Sequence, residues 1–172
     1  MLCTEEYKQQ LEHIHKTTSW GGGVATKVKY IVPNAIEKSA KTILDYGCGS
    51  GTFKKVCNED FPDMDVREYD PGILEKSSLP TPADYIVSVD VLEHIEPELV
   101  DSVLQHIQSL MLKGGFLCIC LVPAFLILPD GRNAHLTIRS AGWWQSKLDQ
   151  YFTTDSVVYK TKGHLAVFVK PK

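Results

Sequence analysis

The sequence has 172 residues, of which 44% are hydrophobic and 23% charged, a composition typical of one soluble globular domain with a core of its own. The net charge of −3 offers no basic surface of the kind that duplex nucleic acids require. No apolar run approaches the roughly 20 residues that span a membrane, and the glutamate-rich N-terminal segment predicts no signal peptide. Five cysteines without regular spacing favour free thiols in a reducing, cytoplasmic setting and predict no metal.

The first part of the chain predicts helices. Thr4 can cap a helix whose apolar residues share one face. A second helical stretch begins at Val24, and Pro33 is expected to interrupt it. We expect residues 1–40 to form a helical cap on a single domain that comprises residues 1–172.

A glycine-rich turn follows the first predicted strand, residues 42–46. Gly47, Gly49 and Gly51 alternate in it, and such glycines let the backbone turn sharply and let a ligand come close. A helix over 52–60 is expected next. The turn therefore indicates a ligand site, although a plain strand-to-helix connection is the alternative.

The second predicted strand, residues 65–69, leads into Asp70. In nucleotide-binding α/β folds an acid at this place holds the two ribose hydroxyls, although an Asp before a proline also starts turns. Thr52 stands where a nicotinamide-binding fingerprint needs its third glycine, which disfavours an oxidoreductase.

The remaining elements complete an alternating pattern. They are a strand over 84–89, a helix from Pro97 to Met111, a strand over 116–121, a loop over 122–139, a helix from Ser140 to Tyr151, and two strands joined at Gly163. This order predicts a three-layer α/β/α Rossmann-like sandwich with a mostly parallel sheet and a C-terminal antiparallel hairpin. The segment before residue 84 is too short for a helix and a full strand, so we expect the third-strand region to be shortened.

Four segments resemble the class I methyltransferases that use S-adenosylmethionine: ILDYGCGSG (43–51), YDP (69–71), DYIVSVDVLEHIEPE (84–98) and KGGFLCICLVP (113–123). Two others, WGGG (20–23) and LPDGRNAHL (128–136), are similar to segments of small bacterial and phage-encoded members. The resemblance covers the chain from about residue 20 to its end, and it implies S-adenosylmethionine as the cofactor.

The resemblance also implies which residues meet that cofactor. They are Asp45, Gly47, Cys48, Gly49 and Gly51 in the glycine turn, Asp70 at the ribose, and Asp90 and Val91 after the third core strand. The acid that meets the adenine amino group in relatives has no clear counterpart, so Ser78 or its neighbour Ser77 is assigned to the adenine.

The acceptor is expected near the loop over 122–139, which follows the strand whose end should face the transferable methyl group. His135 is the candidate general base, with His94 second, and a loop histidine bonded to its own backbone is the alternative. The other substrate candidates are Arg132 for an anionic group, Asn133, Trp20 and Trp144. The adjacent Trp143 and Trp144 point about 100° apart on a helix, so one of the two is expected in the core.

The function predicted from these residues is methyl transfer from S-adenosylmethionine to a small molecule or metabolite. A nucleic-acid methyltransferase is one alternative, disfavoured by the acidic composition and by Asp90-Val91-Leu92-Glu93 where amino-methylating DNA enzymes carry Asn/Asp-Pro-Pro-Tyr/Phe. A cofactor-binding module without turnover, acting with a partner, is the other. The sequence leaves the acceptor and the oligomeric state open.

Overall fold

The computed structural model describes residues 1–18 and 23–172, so Trp20, a predicted substrate contact, lies outside the described residues. The helices are α1 (Glu5–Thr17), α2 (Val28–Glu37), α3 (Thr52–Asp60), α4 (Val100–Leu110) and α5 (Ala141–Tyr151). The strands are β1 (Thr42–Tyr46), β2 (Asp65–Tyr69), β3 (Ala83–Val89), β4 (Met111–Cys120), β5 (Phe152–Lys160) and β6 (His164–Pro171). None of the described helices is long and apolar enough to cross a bilayer.

The six strands form one sheet in the order β2-β1-β3-β4-β6-β5. β1 to β4 run parallel, and β6 pairs antiparallel with both β4 and β5. Between β2 and β3 the chain forms only a 3₁₀ turn at Leu74–Lys76. The predicted fold class is therefore confirmed, including the shortened region after β2.

Helices cover both faces of this sheet because successive strand side chains point to opposite sides. Ile43 belongs to the core cluster under α2 and α3, while its neighbour Leu44 belongs to the cluster under α4 and α5. Both side chains are fully buried, and each contributes about 1.5–3 kcal/mol of hydrophobic stabilisation.

Two predicted boundaries are wrong. α2 continues through Pro33 although a proline inside a helix gives up one backbone hydrogen bond, and the fully buried face of the helix offsets that loss. α4 ends at Leu110, and β4 begins at Met111 rather than at residue 116. Here the parallel pairing of Met111 with Ala83 on β3 prevails over the helical pattern.

The loop over 122–139 packs against α1 in a cluster of apolar side chains that includes Tyr7, Leu11 and Leu128. Thr4 caps α1 as predicted, and its backbone N–H and its hydroxyl both donate to the Glu96 carboxylate, at 2.9 and 2.6 Å. These contacts place α1 and the loop together beside the carboxyl ends of the parallel strands.

Candidate active site

A cavity of about 370 Å³ lies at the carboxyl ends of β1 to β4, under α1 and the loop. Open α/β sheets bind ligands at this edge, and the volume suits a small molecule. Nine of the predicted site residues line it: Asp45, Gly47, Cys48, Gly49, Asp70, Asp90, Val91, His94 and His135.

The glycine turn between β1 and α3 forms the cavity floor. Gly47, Gly49 and Gly51 all have positive φ angles, of 81°, 49° and 79°, which residues with a Cβ rarely adopt. A Cβ on Gly47 would lie 2.4 Å from a methyl carbon of Val91. Gly51 does not line the cavity: it precedes α3, and a Cβ on it would lie 2.5 Å from a carboxylate oxygen of Glu68.

Asp70 ties the end of β2 to this turn. One carboxylate oxygen accepts from the Gly49 N–H and the other from the Gly72 N–H, both at 2.9 Å. His15 Nε2 lies 3.6 Å from the carboxylate. A carboxylate has about four acceptor sites, so Asp70 retains capacity for hydroxyl groups in the cavity.

Two further charged or titratable groups lie beside the turn. Asp45 is buried, and its Oδ2 has no hydrogen-bond partner among the described residues; burial, reinforced by the charge of Glu68, raises its pKa to about 8. Lys76 donates to the carbonyl of Gly49 at 3.1 Å and to Glu68 at 3.0 Å. Lys76 holds the turn in shape and was missed by the sequence argument.

Asp90 follows β3 in a left-handed conformation, with φ of 55°. A non-glycine residue in this region is uncommon, and such strain persists only where the surrounding structure enforces it. The backbone N–H of Asp90 donates to Cys118 O, and its carboxylate lies 3.9 Å from His164 Nε2. Asp90 therefore turns the chain so that its carboxylate and Val91 both face the cavity.

The two candidate bases meet at the other end of the cavity. Their rings pack edge to face with centroids 4.6 Å apart. His94 Nδ1 lies 2.7 Å from the Ala134 carbonyl, and His135 Nδ1 lies 2.5 Å from the Val122 carbonyl. Burial lowers the pKa of His94 to about 4, which keeps this ring neutral at physiological pH.

Glu93 lines the same end of the cavity and is fully buried. Its Oε1 accepts from the Cys120 N–H at 3.0 Å, while its Oε2 has no partner among the described residues. Burial raises its pKa to about 8. Glu93 was assigned no site role from the sequence; its position three residues after Asp90 was the available signal.

Besides Gly51, four further predicted contacts lie outside the cavity. Trp144 is 0% exposed in the core between α5 and the sheet, so its assignment to the substrate is wrong. Ser78 is exposed on the segment after β2 and does not line the cavity. Arg132 pairs with Asp130 at 2.7 Å. Asn133 accepts from the N–H groups of Ala124 and His135, so it shapes the loop instead of lining the cavity.

Helix α1 supplies three cavity residues that the sequence argument did not assign: Tyr7, Leu11 and His15. They recur every four residues, the spacing of one helix face, and this periodicity was the available signal. The helix packs closely against Gly72, as the distance of 2.6 Å between Leu11 Cβ and a Cβ placed on this glycine shows. The glycine at 72 thus lets α1 close the side of the cavity next to Asp70.

A strand–glycine-turn–helix unit with an acid after the next strand defines a nucleotide-binding α/β fold of the methyltransferase type. The sequence profile of a methyltransferase domain family matches residues 19–158, and the chain belongs to this family. Comparison with curated protein sequences gives no match.

Solved structures share the fold at low identity. The Burkholderia thailandensis 1,6-didemethyltoxoflavin-N1-methyltransferase, with bound 1,6-didemethyltoxoflavin and S-adenosylhomocysteine, aligns with a TM-score of 0.70 at 14% identity over 100% of this chain and 92% of that one. A complex of DhpI with S-adenosylhomocysteine gives 0.62 at 16% identity over 96% of each chain. The mitomycin 7-O-methyltransferase MmcR gives 0.60 at 13% identity over 78% of this chain, which spans only 50% of that enzyme.

Proposed function

We propose that this chain transfers a methyl group from S-adenosylmethionine to a small-molecule acceptor, with both ligands in the cavity described above. The observation that carries the proposal is the cavity itself, which joins the glycine turn and Asp70 at one end to a pair of histidines at the other. Family membership supports the reaction, and two structural neighbours hold S-adenosylhomocysteine.

The cofactor fits the turn end of the cavity. The backbone of Gly47 to Gly49 would lie against its amino-acid part, and Asp70 would accept from the ribose hydroxyls. When bound, the cofactor supplies an electrophilic methyl group on a positively charged sulfur. The charge of the cavity wall suits that cation, because Asp70 and Asp90 line it and none of the described lining residues is lysine or arginine.

The histidine end of the cavity is where we place the acceptor. The Val122 carbonyl can only accept a hydrogen bond, so His135 Nδ1 carries the proton and the lone pair of the neutral ring is on Nε2. His135 would then orient the acceptor or take the proton from its hydroxyl or amine. Positioning supplies most of the rate of an in-line displacement, and the packed ring of His94 fixes His135 from one side.

The charged residues of the cavity wall also restrict the class of acceptor. Arg132, proposed from the sequence to bind an anion, is neutralised by Asp130 and does not line the cavity. A phosphate or carboxylate would meet Asp90 with neither lysine nor arginine among the described lining residues to compensate its charge, and burying an unpaired charge is costly. We therefore propose a neutral acceptor that bears a hydroxyl or nitrogen nucleophile.

We further propose that residues 1–172 act as one unit, in which residues 1–40 and the loop over 122–139 cover the acceptor. All five cysteines are free and four are buried, which supports a reducing, cytoplasmic location.

A product-release assay tests the proposed function. The chain is incubated with S-adenosylmethionine and fractions of small metabolites, formation of S-adenosylhomocysteine is followed, and mass spectrometry seeks a gain of one methyl group in an acceptor. Release that depends on a metabolite fraction supports transfer to a small molecule. Tight cofactor binding without release from any metabolite or nucleic-acid fraction would instead support a binding module without turnover.

A further inference from the structure

Three side chains from separate segments converge at the histidine end of the cavity. A carboxylate oxygen of Glu93, the sulfur of Cys120 and a ring nitrogen of His135 all lie within 4.8 Å of one another. Glu93 follows β3, Cys120 ends β4 and His135 lies in the loop, and all three line the cavity.

Glu93 gives an independent indication that this cluster binds something. Its side chain is 0% exposed, and Oε2 has no hydrogen-bond partner among the described residues although Oε1 is satisfied by the Cys120 N–H. A buried oxygen without a partner is destabilising, because its lost contacts with water are not replaced. Such a group in a native fold calls for an explanation, and the binding of an ion is one of the few available.

His135 is oriented as a ligand would be. Metal-binding histidines usually donate their second ring N–H to a carbonyl or carboxylate, which fixes the tautomer and the ring. His135 Nδ1 makes this contact with the Val122 carbonyl. The neighbouring His94 makes the equivalent contact with the Ala134 carbonyl and packs its ring against His135.

We propose that Glu93, Cys120 and His135 bind a divalent transition-metal ion, with the open side of the ion facing the cavity. Oxygen, sulfur and imidazole nitrogen together are typical ligands of Zn²⁺, and three protein ligands with one open position are typical of a catalytic zinc site. This arrangement deepens the proposed function: an acceptor hydroxyl at the open position would lose its proton more readily. The ion would then replace His135 Nε2 as the group that activates the acceptor.

Metal binding is tested with the metal alone, so its failure would leave the proposed methyl transfer and the base role of His135 standing. The metal-free wild type is titrated with Zn²⁺ by calorimetry and with Co²⁺ by absorbance, where a thiolate ligand produces a charge-transfer band. We expect one equivalent to bind, with that band. Glu93→Gln and His135→Ala should each weaken Zn²⁺ binding at least about 10–100-fold, since even the partners of metal ligands contribute that much.

Matched controls come from the same chain. Cys57 is buried in the core beside α3, and His13 is on the exposed side of α1, so Cys57→Ser and His13→Ala should leave Zn²⁺ binding unchanged. Cys120→Ser should abolish the charge-transfer band, and circular dichroism should show that each variant remains folded. Absence of Zn²⁺ binding, binding that survives both Glu93→Gln and His135→Ala, or Co²⁺ binding without a thiolate band would overturn the proposed site.

Discussion

Asp70 offers the sharpest test of the cofactor end of the cavity, through the variant Asp70→Asn. Both carboxylate oxygens accept backbone N–H groups, from Gly49 and from Gly72, and the carboxylate would also accept ribose hydroxyls. An amide has one oxygen, so its NH₂ group must face one of the two donors. Each buried group left without its partner costs about 1–3 kcal/mol.

The Asp70→Asn substitution should lower both the free energy of unfolding and the affinity for S-adenosylhomocysteine. The free energy of unfolding in urea should fall by about 1–3 kcal/mol through the orphaned N–H group. Affinity for S-adenosylhomocysteine, measured by calorimetry where the variant is folded, should fall by about 5- to 150-fold, the equivalent of another 1–3 kcal/mol. Glu75→Gln, on the exposed 3₁₀ turn after β2, is the matched control and should change neither. Reduced stability with unchanged affinity would refute the role of Asp70 at the ribose and make Glu68 the next residue to test.

Three further predictions concern other parts of the site and core. His135→Ala should lower turnover about 10²–10⁴-fold once an acceptor is known, with S-adenosylhomocysteine affinity nearly intact; unchanged turnover would reduce His135 to a loop residue. Asp45→Asn should stabilise the fold, because burial raises the pKa of Asp45 to about 8, above its value in the unfolded chain. The wild type therefore loses stability relative to the variant as the pH rises from 4 to 8. Urea unfolding across that range should show a growing difference in the free energy of unfolding. Trp144→Ala should cost about 3–5 kcal/mol of unfolding free energy because the side chain is fully buried, whereas Trp143→Ala, on the exposed side of α5, should cost much less; equal losses would contradict the placement of the two rings.

The sequence predicted the parallel part of the sheet well because its signals are local. Residues 42–46, 52–60 and 65–69 fold with the predicted boundaries, since each is a short patterned run bounded by glycines, prolines or acids. β4 was harder to place, because Met111 fits the apolar face of a helix as well as a strand, and only its pairing with Ala83 decides between them.

The cavity wall could be predicted only in part. The spacing of the first two glycines of the turn and of Asp70 along the chain was enough to predict their place in the cavity. For the adjacent Trp143 and Trp144, the sequence does not show which of the two side chains faces the core. Arg132 was predicted to bind an anionic group, but the fold of the loop places Asp130 in an ion pair with it.

The proposed metal-ligand cluster could not be predicted from spacing along the chain. Glu93, Cys120 and His135 come from three segments that only the parallel order of β3 and β4 and the path of the loop bring together. From the sequence, the irregular spacing of the five cysteines had led to the expectation that no metal binds.

The central claim is that the wild-type chain binds a sulfur-containing nucleoside cofactor in this cavity. Calorimetric titration with S-adenosylmethionine, S-adenosylhomocysteine and NAD on the same preparation decides the question. We expect one molecule of either sulfur compound to bind per chain, and no heat of binding for NAD. Binding of NAD as tight as that of S-adenosylmethionine, or no binding of either sulfur compound, would contradict the account.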